Sequence, residues 1–150
     1  MTLFRASTLQ PLHQTFLQVN TDLDALDQVI KWFEQFNHPP IHSQAGMECQ
    51  LALAEGFTNS VRHAHRNLSA ETLIDLEVQV FEDRVEIRIW DQGAPFDLEK
   101  KLREMPTEWD KEAEDGRGLR LMKEISDILS CTRMLDGRNC LLILKKIRRD

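Results

Sequence analysis

The chain has 150 residues and a formal charge of −6, with 41% hydrophobic and 29% charged residues. That apolar fraction excludes intrinsic disorder, and the length suits one compact domain over 1–150, with a core at about 12–148. The acidic balance argues against a general nucleic-acid binder, which carries a basic field.

Lys145, Lys146, Arg148 and Arg149 are a local basic run that reads as a solvated strand end. Cys49, Cys131 and Cys140 are too few and too widely spaced for a disulfide scaffold or a finger-type zinc site. They read as reduced thiols of a cytoplasmic protein. The longest unbroken apolar run, Cys140 to Leu144, is far short of the roughly 20 residues of a membrane-spanning helix. The opening MTLFRASTLQ lacks the apolar core of a signal peptide.

In chain order, Leu17 to Val19 reads as a short strand, and Asp22 can cap a helix in which Leu23, Leu26, Val29, Ile30, Phe33 and Phe36 recur at helical spacing. His38-Pro39-Pro40 stops it, because proline cannot continue a helix. Ser43 can cap a second helix, running to about His65, with Met47, Leu51, Ala54, Phe57 or Thr58, and Val61 as its core stripe. Two strands with period-two alternation follow, Ile74–Val80 and Val85–Ile89, joined by a polar turn at Glu82-Asp83. Trp90-Asp91-Gln92-Gly93 ends the second. Residues 94–115 are dense in charge, with one short helix near Leu98 to Leu102. Gly116-Arg117-Gly118 opens a helix with Leu119, Leu121, Met122, Ile125 and Ile128 as apolar positions. Strands at about 130–135 and 139–147 turn at Asp136-Gly137, a strong hairpin dipeptide. The expected fold is α+β: a two-layer sandwich with helices on one face of a mostly antiparallel mixed sheet.

Three features could carry chemistry. Glu55, Asn59 and His63 are spaced four apart, so they share one helix face beside the core stripe. An Asn carbonyl is a neutral oxygen ligand for Mg²⁺ that does not repel phosphates, and a carboxylate one turn earlier can take a proton from an attacking hydroxyl. His63 either orients phosphate or solvent or is a polar residue near the helix end. Asp91-Gln92-Gly93 at a strand end can accept a hydrogen bond from an exocyclic amine, and Gly93 lets backbone approach a flat ring; D-x-G is also a common turn. Gly116-Arg117-Gly118-Leu119 at a helix start allows close approach of phosphate to unpaired N–H groups. Leu121 stands where a dinucleotide fingerprint needs glycine, and no P-loop sequence occurs.

EGFTNSVRHA at 55–64, DQGAPFD at 91–97 and GRGLRLM at 116–122 occur once each, in this order. Together they resemble the GHKL ATPase superfamily (Bergerat fold), and within it the anti-sigma-factor serine/threonine kinases of bacterial partner switching. The resemblance implies Asn59 as Mg²⁺ ligand and Glu55 as catalytic base. It implies Asp91 as reader of the adenine amine, with Gly93 beside it and Thr58 acting through water. Gly116 and Gly118 match the phosphate loop, with Arg117 as a phosphate contact, and the charged stretch between the boxes matches a short ATP lid. Ala94-Pro95 stands where many superfamily members have a second glycine, a pairing familiar in the kinase branch.

The activity so implied is an ATP- and Mg²⁺-dependent serine kinase that phosphorylates an anti-sigma-factor antagonist and binds a sigma factor, as a homodimer. Two other readings remain open: a non-catalytic nucleotide-dependent binding module, and a stand-alone ATPase or histidine-kinase-like domain. Against the latter, the only histidine near the start, His13, precedes a predicted strand rather than lying on a helix.

Overall fold

The computed structural model describes residues 10–105 and 114–147. Arg148, Arg149 and residues 106–113 of the charged stretch therefore lie outside the described residues. In chain order the elements are β1 (His13–Asn20), a 3₁₀ turn (Leu23–Ala25), α1 (Leu26–Glu34), α2 (Ser43–Asn59) continued by a π turn (Ser60–Ala64), β2 (Leu73–Val80), β3 (Arg84–Asp91), α3 (Leu98–Glu104), α4 (Glu114–Ile125), β4 (Ile128–Arg133) and β5 (Asn139–Lys146). The five strands form one sheet in the order β1-β2-β3-β5-β4. Every pairing in it is antiparallel, a stricter outcome than a mostly antiparallel mixed sheet.

Alternation along the strands explains the layering, since successive side chains point to opposite faces. Ile74, Leu76, Val78 and Val80 of β2, Val85, Ile87 and Ile89 of β3, Leu129 of β4 and Ile143 of β5 point to one face and are buried there. Val29 and Phe33 of α1, Leu53 and Phe57 of α2, and Leu119 and Met122 of α4 close the core from above. On the bare face a polar lattice crosses β1, β2 and β3. Gln14 Nε2 donates to Glu77 at 2.8 Å, and Glu86 accepts from Arg84 and Arg88 at 2.7 Å each.

The sequence reading needs three corrections. The first concerns the rotation of α2. Met47 is 73% and Leu51 44% exposed, and Ala54 and Val61 are half-buried; Phe57 is buried as expected, and the helix otherwise packs through Ala45, Cys49, Ala52, Leu53 and Gly56. Apolar and small residues surround most of α2, so spacing alone leaves its rotation open. Closeness to the sheet decides it: a Cβ on Gly56 would lie 2.6 Å from Ile89 Cδ1. The second is the cap, which is His42 rather than Ser43; its Nδ1 accepts from Ala45 N–H at 3.3 Å. The third is the end of α4: Gly116-Arg117-Gly118 lies in its opening turns as expected, but the helix ends at Ile125, and Ile128, 47% exposed, begins β4 instead of continuing the helix. Glycine costs a helix only about 1 kcal/mol per residue, which burial of Leu119, Met122 and Ile125 outweighs.

The Asp136-Gly137 turn is as expected, with Gly137 at φ 90°, a left-handed conformation suited to glycine. Asp97 caps α3 by accepting from Lys100 N–H at 3.0 Å.

Candidate active site

A cavity of about 360 Å³ opens between α2 and its π turn, the end of β3, α4 and the β4–β5 pair. Its walls include Asn59 and His63 from the α2 end, Asp91 from β3, Leu119 and Met122 from α4, and Asn139 and Leu141 from β5. The three sequence boxes thus meet at one place. Lys101 of α3 adds a cation to the lining.

Glu55 lies outside the cavity lining but against α4. A Cβ on Gly118 would collide with the Glu55 carboxylate and sit 3.7 Å from Asn59 Oδ1. Gly118 therefore keeps clear the space where an acidic and an amide oxygen from successive turns of α2 converge. That donor set fits Mg²⁺, which takes one or two protein oxygens and completes its octahedron with phosphates and water. Gly116 and Arg117 fall among the first four residues of the described α4. Among the described residues the atom nearest a Cβ at Gly116 would be Met105 Cε at 3.8 Å, an ordinary contact. Thr58 and Arg117 are not part of the cavity wall.

At the far end, the D-x-G turn is held from three sides. Asp91 Oδ1 accepts from Gly93 N–H and from Asn139 Nδ2, each at 2.9 Å, leaving Oδ2 without a hydrogen bond among the described residues. Asn139, 2% exposed, also donates to Ala94 O at 2.9 Å and to Gly93 O at 3.3 Å. Arg133 donates to Gly93 O at 2.8 Å and to Asn139 Oδ1 at 3.2 Å. Gly93 is required by contact: a Cβ there would be 2.7 Å from Ala64 O. On the other side Gln92 N–H donates to His65 Nε2 at 2.8 Å. Cys131 completes the wall beside Asp91, its thiol pushed up to about 11 by burial and then by the Asp91 charge.

Asn139, Arg133 and His65 carry no motif, and the sequence reading missed all three. Their partners are mostly backbone atoms 27 to 46 residues away. One local signal existed for Asn139: an amide at the start of a strand that otherwise reads CLLIL.

A two-layer sandwich carrying a Glu and an Asn on one helix, an Asp at a strand end and a glycine-bearing helix around one cavity defines a nucleotide-binding domain of the ATPase type. The chain belongs to the histidine kinase-like ATPase domain family, which matches residues 19–145. This bears out the resemblance read from the three boxes. Relatives include the serine-protein kinase RsbW of Listeria innocua, 35% identical over 85 residues that cover 53% of this chain and 54% of that protein. The serine-protein kinase RsbW of Bacillus licheniformis is 35% identical over 85 residues, covering 53% of each. The match thus spans about half the length of these curated relatives.

Two crystal structures share the fold. A chain of the SiaB–SiaC complex from Pseudomonas aeruginosa has a TM-score of 0.67 at 12% identity, covering 95% of each chain. The RsbU and RsbW domains of Rv1364c from Mycobacterium tuberculosis give 0.66 at 11%, covering 93% of this chain and 34% of that one. No helix among the described residues is long and apolar enough to cross a membrane.

Proposed function

We propose that residues of about 12–148 form one ATP-binding kinase domain that transfers a phosphoryl group from ATP to a serine of an anti-sigma-factor antagonist. The observation that carries this reading is the convergence of the Glu55 carboxylate and Asn59 Oδ1 on Gly118, beside a cavity that ends at Asp91. Glu55 takes the proton of the serine hydroxyl as the serine oxygen bonds to the γ-phosphorus and the bridge to ADP breaks. A base in this role is worth roughly 10²–10⁴ in rate. Asn59 offers its side-chain oxygen to Mg²⁺, which when bound offsets phosphate charge. Asp91 Oδ2, free of the bonds that fix Oδ1, accepts from the adenine amine, and Met122 and Leu141 face the ring. The N–H groups at the start of α4, with Arg117, His63 and Lys101, attract phosphate.

The serine-kinase relatives support the reaction class, at partial coverage. The superfamily resemblance extends the reading to a cytoplasmic homodimer that also holds a sigma factor, released when the antagonist is left unphosphorylated. The test is incubation with labelled ATP, Mg²⁺ and candidate antagonists: label on a serine is expected. Glu55→Gln should bind ATP and fail to transfer, and retained transfer would remove Glu55 from the base role. Bound but untransferred nucleotide with every antagonist would favour a binding module.

A further inference from the structure

His65 is 2% exposed and lies just past the π turn, where its ring is held at both nitrogens. Nε2 accepts from Gln92 N–H at 2.8 Å. The neutral ring must then carry its proton on Nδ1, which donates to Thr21 Oγ1 at 2.7 Å, while the Thr21 hydroxyl donates to Thr72 O at 2.6 Å. The relay ties the β1–α1 junction and the loop before β2 to the residue next to Asp91. A ring protonated on both nitrogens would set N–H against N–H at Gln92 and break that tie.

Resting on the nucleotide reading above, we propose that His65 is a positioning residue for the adenine-reading turn, and that its neutral form is what aims Asp91, so that ATP affinity falls as His65 takes up a proton. The charges around it are few. Asp91 on β3 is the one that acts on the ring, and burial outweighs it, holding the imidazole below the ordinary histidine value. Asp22, beside Thr21, spends a carboxylate oxygen on Asp24 N–H at 2.9 Å. Arg66, next along the chain, turns its guanidinium to His63 Nδ1 at 3.5 Å, Glu71 beside Thr72 is exposed, and Arg133 is bonded to Gly93 O.

The sign follows from the linkage. A group that binds a proton more weakly in the competent state contributes above its pKa, and the contribution is lost as pH falls through it. The test is calorimetric titration of the full chain with Mg²⁺–ATP from pH 7.5 to 5.5, with folding followed by circular dichroism, on wild type, His65→Gln and His65→Leu. Glutamine keeps an acceptor that does not titrate. Wild type should weaken progressively toward pH 5.5 by less than about tenfold, the loss expected there of a group at the ordinary value of about 6.5, because burial holds His65 lower. His65→Gln should stay within a fewfold of the pH 7.5 wild type throughout. His65→Leu should bind weakly at every pH, with turnover at saturating ATP largely kept. Equal pH dependence in wild type and His65→Gln, or wild-type affinity in His65→Leu, would overturn the positioning role. Absence of ATP binding by folded wild type at pH 7.5 would instead overturn the nucleotide reading itself.

Discussion

Two glycines on facing helices should respond to the same added methyl group in opposite ways. At Gly118 a Cβ meets the Glu55 carboxylate, the far end of a side chain with three rotatable bonds, so the clash is relieved by turning Glu55 away. Alanine is favoured over glycine in a helix by about 1 kcal/mol, so Gly118→Ala should leave stability within about 1 kcal/mol of wild type. For a chain of this size that is a melting shift of no more than about 4 °C. Phosphoryl transfer should fall by about 10²–10⁴, because the base no longer points at its proton.

At Gly56 the Cβ meets Ile89 Cδ1 at 2.6 Å, Leu141 Cδ2 at 3.4 Å and Met122 Sδ at 3.5 Å; Ile89 and Met122 are buried in the core and Leu141 packs half-buried against it. There, overpacking of about 1–3 kcal/mol exceeds the propensity gain, so Gly56→Ala should melt lower. Denaturant melts and single-turnover transfer from labelled ATP separate the two effects. A Gly118→Ala protein that transfers phosphate at the wild-type rate would refute the placement of Glu55.

Asp91→Asn should weaken ATP yet barely change binding of a purine triphosphate lacking the exocyclic amine; equal losses for both would count against amine recognition. Asn139→Leu should cost about 1–3 kcal/mol, since it strips a donor from Asp91 Oδ1 and the Gly93 and Ala94 carbonyls, and denaturant titration reads this directly. Asn59→Ala should lose the Mg²⁺-dependent part of ATP affinity, checked by titrating nucleotide with and without the metal. Because the Cys131 thiol is raised to about 11, its thiolate stays scarce at neutral pH; alkylation should accelerate about tenfold per pH unit between 8 and 10 and slow when ATP is present. A plateau near pH 9 would contradict that shift.

Where residues speak through spacing, the chain was legible. Alternation in β2 and β3, the Asp136-Gly137 turn and the Glu55–Asn59 pair all follow from local periodicity, and their places in the fold agree. The rotation of α2 was not legible, because small residues that permit close approach, such as Ala52 and Gly56, carry a weaker apolar signal than Met47 and Leu51, which face outward. Ile128 was misread as the last apolar position of α4 because it keeps helical spacing from Leu121 and Ile125, although it begins β4. His65 and Asn139 stayed hidden for another reason. Each acts on distant backbone, and backbone partners leave no trace in the identity of the residues that own them.

The π turn has a consequence for how this chain can change over generations. Five residues occupy Ser60–Ala64, with His65 N–H bonded to Ser60 O at 2.9 Å. Loss of any one codon there would restore an ordinary helix and swing everything beyond it by about 100°, taking the imidazole away from Gln92. Length in this segment is therefore more tightly constrained than side-chain identity at most of its positions, and gaps placed within it when related chains are aligned deserve suspicion before they are believed.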